Sequence, residues 1–206
     1  MTALLEIESL DPKGRRTVPN AIETLHARYA FSKFPKTLEE MDFQKGVTMG
    51  AGTLGDIAID QIVFYHNGLV IDTRSSTQNA TAILLDILQH SKSISGASVV
   101  PVRQLLTSQI IFVSDLKLPL VNPLLTPLAK RLSEIASRSF EQPLQFETIN
   151  LSLGVDASQL KIAPSNFTIE RRAERPFSEN MYFSSAPLDT VEHIRIIEEV
   201  EKLLTP

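Results

Sequence analysis

The chain of 206 residues has no cysteine, no tryptophan and only 8 glycines. Without cysteine there are no disulfides, zinc–thiolate sites, iron–sulfur clusters or thiol nucleophiles. Long apolar runs are also lacking. Stretches such as Ile110-Ile111-Phe112-Val113 fall far short of the roughly 20 residues a membrane helix needs. The N-terminal segment carries no basic start followed by an apolar run, because Glu6 and Glu8 interrupt it. No secretory signal is read there. The expectation is a soluble cytoplasmic protein without membrane contact.

Excess charge of one sign is missing too. There are 20 basic and 24 acidic residues, a formal net charge of −4. Residues 1–103 hold 10 basic and 11 acidic side chains, and residues 104–206 hold 10 and 13. Neither half has the asymmetry of a nucleic-acid-binding surface. The densest basic cluster, Arg171, Arg172 and Arg175, is interleaved with Glu170, Glu174 and Glu179. It reads as a solvated or self-paired loop, not a phosphate-tracking patch.

What is present is a hydrophobic share of 43% against 21% charged, enough for a packed core and too little charge for a disordered chain. The pattern predicts an α+β fold: a single domain over residues 1–206, with a mixed, mostly antiparallel sheet and about three to five helices packed on it. Strands are expected at 4–10, near 46–49, at 57–65, 69–73, 108–113, 144–153, 167–172 and 181–185. Helices are expected from Asn20 to about Phe31, Gln78 to His90, Thr126 to Arg138 and Asp189 to Leu204, with a short one at Thr37. The turn 11–14 separates the first strand from the first helix. On the helix after Thr126, Leu128, Leu132, Ile135 and Ala136 form the apolar face.

Asn67-Gly68 between two apolar strands predicts a two-residue turn with positive φ at both positions, Phe64 facing Ile71 and Val63 facing Asp72. Both strand faces are apolar, which places this hairpin in the interior of the sheet. In that register Asp72 shares a face with Arg74 and Gln61, in a structural ion pair. Two stretches, 46–90 and 144–204, share a weak β-β-β-α outline. Each passes to its helix through a Ser-Ser pair, Ser75-Ser76 and Ser184-Ser185, but little else aligns. Ordinary turn chemistry accounts for that much.

No catalytic constellation stands out. Gly50-Ala51-Gly52-Thr53-Leu54-Gly55 matches the dinucleotide-loop spacing, but the residues after it alternate as a strand, where a nucleotide loop opens a helix. No cofactor is expected. His26, His66, His90 and His193 show no metal-ligand spacing, and no metal site is assigned. His193, beside the apolar face of the last helix, reads as a hydrogen-bonded core residue. Arg74, Ser75, Ser76 and Thr77, at a strand-to-helix junction, are candidates for holding an anion. On the last helix, Ile196, Ile197, Val200, Leu203 and Leu204 share one stripe, and Val191 and Ile194 fall outside it. These two are candidate interface residues. The functional expectation is a non-enzymatic protein–protein interaction or assembly subunit that self-associates or binds another protein subunit. The alternative is an enzyme or a small-ligand or anion-binding protein with its site near 57–77. Nucleic acid is not an expected partner.

Overall fold

A computed structural model describes residues 1–6, 10, 17–96 and 98–205. The expected turn at 11–14 and residues 7–9 of the expected strand 4–10 lie outside the described residues; the strand that forms there is Thr2–Leu4, ahead of the expected one. The fold is α+β, with four α-helices and nine strands among the described residues. In place of one mixed sheet there are two, both antiparallel. They belong to two compact units, 1–107 and 108–206.

In the first unit, strand β1 (Thr2–Leu4) precedes helix α1 (Val18–Tyr29). The helix starts at Val18 and is capped at Thr17, not at Asn20. Pro19 explains the earlier start, since its fixed φ and missing N–H suit a first turn. Thr37 and Glu40 form a capping box on a 3₁₀ turn, Leu38–Met41. Three antiparallel strands follow: β2 (Val47–Leu54), β3 (Ile57–Tyr65) and β4 (Gly68–Asp72). Helix α2 (Thr77–Ser95) is capped by Ser76, which accepts from the Asn79 N–H. The last strand is β5 (Arg103–Leu105), three residues too short to read from sequence. The sheet order is β2-β3-β4-β1-β5. As expected, β3 is interior to the sheet and buries both faces, Ile62 on one and Val63 on the other.

One core joins this sheet to both helices. Met49, Ile62, Phe64, Leu69 and Ile71 meet Ile22 and Tyr29 of α1 and Ile83, Leu84 and Ile87 of α2. A partly exposed polar link ties the helices together. Arg28 donates twice to Asp86, at 2.7 and 2.6 Å, and the Tyr29 hydroxyl donates to Asp86 at 2.7 Å. The Arg28 hydrogen bond holds the Asp86 carboxyl below its ordinary pKa.

The hairpin turn sits one residue earlier than the sequence reading, which shifts every cross-strand partner by two positions. Phe64 pairs with Leu69 and Gln61 with Asp72, so the two loop residues are His66 and Asn67. Only Gly68, close to fully extended at φ 159°, has positive φ here; Asn67 does not. Tertiary contacts override the local turn preference. Gly68 is already in the ladder, opposite Leu4, the Leu5 N–H donates to the Asn67 carbonyl, and the His66 N–H to that of Phe43. Asp72 therefore accepts from Gln61 at 2.7 Å, while Arg74 pairs with Asp60 at 3.1 Å.

The second unit opens with β6 (Ser108–Val113), then two 3₁₀ turns and α3 (Thr126–Ser139), with Pro127 in its first turn. Strands β7 (Asn150–Leu153), β8 (Phe167–Arg171) and β9 (Met181–Ala186) follow. Helix α4 (Thr190–Leu204) is capped by Asp189, which accepts from Val191 and Glu192. The sheet order is β6-β9-β8-β7. Its core holds Leu116, Leu118, Ile169 and Tyr182 under Ile197 and Leu204 of α4. The buried face of α4 includes His193 but not Leu203, which is exposed. The stripe is centred closer to His193 than apolarity alone indicates.

The two units repeat one topology. Each runs β-α-β-β-β-α. In each, the three later strands form an antiparallel meander whose last member pairs with the first strand, β4 with β1 and β9 with β6. The first unit then adds β5 beside β1.

Candidate functional site

Among the described residues, a buried polar cluster with catalytic residue types lies in the second unit. Ser108 lies on the inward face of β6, Ser184 on the inward face of β9, and His193 one turn into α4. Ser108 Oγ is 2.6 Å from His193 Nδ1, and Ser184 Oγ is 2.7 Å from His193 Nε2. The proton positions follow from the network. The Ser184 hydroxyl donates its one proton to the Thr168 carbonyl at 2.7 Å. It therefore accepts from Nε2–H, which leaves Nδ1 to accept from the Ser108 hydroxyl. Burial pushes the His193 pKa below its ordinary value.

This arrangement is poorly suited to nucleophilic catalysis. Ser184 receives a proton from the imidazole, whereas an activated nucleophile gives one up. Ser108 has the right sense, but it is 5% exposed, and His193 and Ser184 are 0%. No substrate atom reaches either oxygen without displacing the core. The cluster is a satisfied polar knot between sheet and helix. The sequence reading placed His193 in the core but named neither serine as its partner. The signal was there: a serine at the inward position of a β-strand whose next inward residues are Ile110 and Phe112.

At the junction expected to hold an anion, each group has a partner within the protein. Arg74 is paired with Asp60. Ser75 Oγ lies 2.8 Å from Thr73 Oγ1 and accepts from Asn79 Nδ2 at 3.0 Å. Ser76 caps α2, and Thr77 is buried, its hydroxyl donating to Gln78 Oε1. Arg171, in the basic cluster, is partly buried, paired with Glu147 at 2.8 Å and packed over the Phe177 and Tyr182 rings. Arg175 pairs with Glu179. Among the described residues no group of three or more His, Asp or Glu side chains comes together to hold a metal ion. No helix among them is long and apolar enough to cross a membrane.

The glycine motif lies in a strand. Gly50 and Gly52 are part of β2, and Gly55, at φ 56°, makes the tight turn into β3. A Cβ on Gly52 would stand 2.5 Å from the Phe31 ring and 2.8 Å from the Tyr29 carbonyl oxygen. That glycine is required by close packing of the segment after α1. Calorimetric titration with NAD or ATP should show no micromolar binding. Gly52→Ala should instead lower stability by about 1–3 kcal/mol, the usual cost of overpacking. Tight nucleotide binding lost in Gly52→Ala would contradict this.

The polar groups of these clusters are answered internally; the apolar surface is not. Helix α3 has no buried residue along its 14 positions. Leu128, Leu132 and Ile135 are about half exposed, and Leu124 just before the helix is 87% exposed. Only the serine side of α3 is engaged. Ser133 Oγ accepts from the Phe146 N–H and Ser137 Oγ from the Leu144 N–H, both at 2.8 Å. The apolar face expected to pack on the sheet is open. Val191 and Ile194 on α4 are 47% and 44% exposed, on a helix whose opposite side is held to β6 and β9 through His193. Comparison of the chain with protein-family models, curated proteins and solved structures finds no match.

Proposed function

We propose that the protein is a non-enzymatic assembly subunit that self-associates and acts through its surface. The observation that carries this reading is α3. A short helix in water draws most of its stability from packing its apolar face. Here that face, Leu128, Leu132 and Ile135 with Leu124 and Leu125 ahead of it, is 42–87% exposed, and no residue of the helix is buried. Contiguous apolar surface beyond a few hundred Å² marks an interaction site.

The occupant is a second copy of the same helix. An antiparallel pair of α3 helices centred on Leu132 sets Leu132 against its own counterpart and Leu128 level with Ala136 of the other copy. The contact is self-complementary, as a two-fold interface requires. Light scattering coupled to size exclusion tests this. Leu132→Glu should lower the mass in solution at tens of micromolar, and because the side chain is exposed in a single chain, its thermal midpoint should match that of the unsubstituted protein at dilutions where both are monomeric. An unchanged mass would remove α3 as the contact.

A further inference from the structure

Strand β6 has β9 as its only strand neighbour, and its other edge carries no strand among the described residues. The corresponding edge in the first unit is filled. There β1, which pairs with β4 as β6 pairs with β9, takes β5 antiparallel on its far side. The same topology thus shows what this edge accepts: an extended antiparallel segment.

A bare strand edge presents a row of unpaired N–H and C=O groups, and proteins usually blunt it with charge, proline, a bulge or brevity. The other edges are blunted. The Ser32-Lys33 segment crosses β2, bonding to Ala51 and Gly50. Strand β5 is three residues with Arg103 at its start, and β7 is four. Strand β6 has six residues, Ser-Gln-Ile-Ile-Phe-Val, with no charge and no proline. It is paired one for one from Ser108–Ala186 to Val113–Met181, without a bulge. On its outer face Ile111 and Val113 are 57% and 67% exposed.

We infer that β6 pairs antiparallel with β6 of a second copy across a two-fold axis, joining two four-stranded sheets into one of eight. This deepens the assembly reading above and rests on it. Side chains directly opposite each other in an antiparallel pair share a face, so the register must keep inward residues together. Centring on Ile111 does so. Ile110 then meets the second copy's Phe112 on the core side, and Gln109 meets its Val113 on the outer side. The strand matches itself on both faces. With the α3 contact this gives two separate two-fold interfaces, and the assembly exceeds a dimer.

The test compares the full chain with Ile111→Lys and Leu132→Glu by light scattering at tens of micromolar. It adds amide exchange across β6 in the unsubstituted protein as a function of concentration. Ile111→Lys places like charges opposite each other at the axis and alters an exposed side chain. It should lower the mass at least two-fold, with a thermal midpoint equal to that of the unsubstituted protein at dilutions where both are monomeric. Amides of Ile110–Val113 should exchange more slowly as concentration rises. A mass unaffected by Ile111→Lys, together with concentration-independent exchange in β6, overturns the strand pairing. If Leu132→Glu still lowers the mass in that case, the assembly reading stands alone. An unsubstituted protein that stays monomeric overturns both. Should Ile111→Lys fail to fold, the exchange measurement on the unsubstituted chain decides.

Discussion

His193→Ala is expected to destabilise the second unit by about 3 kcal/mol or more, combining a cavity with the orphaned Ser108 hydroxyl. The ring is fully buried, and Ser108 and Ser184 both spend hydrogen bonds on it. Without the imidazole, Ser108 faces a void, and Ser184 keeps only its bond to the Thr168 carbonyl. Denaturant unfolding, followed through amide exchange in β9, reads the loss directly. An unchanged midpoint would show that the knot contributes nothing.

The same knot sets a pH dependence. In the unfolded chain a histidine titrates near 6.5. In the folded unit burial holds the pKa of His193 lower, and Nδ1 already accepts a proton from Ser108, so protonation breaks that bond. Between the two pKa values the unfolded chain binds more protons than the folded one, so stability rises with pH there. The stabilisation is complete above about pH 6.5 and is lost as pH falls through the depressed value. His193→Ala should remove this slope along with the stability.

Gly68→Ala is the second large effect expected, again about 3 kcal/mol, at the upper end of overpacking costs. A Cβ on Gly68 would lie 2.3 Å from the Ala3 carbonyl oxygen and 3.3 Å from Leu4 Cα. Both neighbours are backbone and cannot rotate away. The strand β1 would have to withdraw from β4, exposing Ala3 and Leu5, which are buried. Thermal unfolding should show a lower midpoint, with faster amide exchange at the β1–β4 ladder. Wild-type stability in Gly68→Ala would mean that β1 does not lie against this glycine.

The glycine at 68 also shows where sequence reading stops. The Asn67-Gly68 pair locates the hairpin, and β3 and β4 form there. Sequence alone assigns the glycine's role to turn dihedrals. The structure assigns it to the close approach of a strand more than 60 positions away, a contact that no local pattern encodes. Elements with internal signals are legible: β6, the Thr37–Glu40 capping box and the Asp189 cap all fall where periodicity and capping residues place them. Elements defined by pairing are not. Strand β5 exists because β1 offers an edge, and β7 begins at Asn150 because the chain before it hydrogen-bonds to serines of α3. The division into two sheets is likewise hidden, since alternation reports that a residue faces inward but not which core it enters. Of the candidate surfaces, Val191 and Ile194 were legible from helical spacing. The open face of α3 was not, because an amphipathic helix reads the same whether its apolar side is covered or bare.

Self-association through exposed surface is the central claim, and sedimentation equilibrium of the full chain tests it most directly. The weight-average mass should rise with concentration and, at tens of micromolar, stand at least two-fold above the 22.9 kDa of one chain. A mass that stays at 22.9 kDa across the series would contradict it.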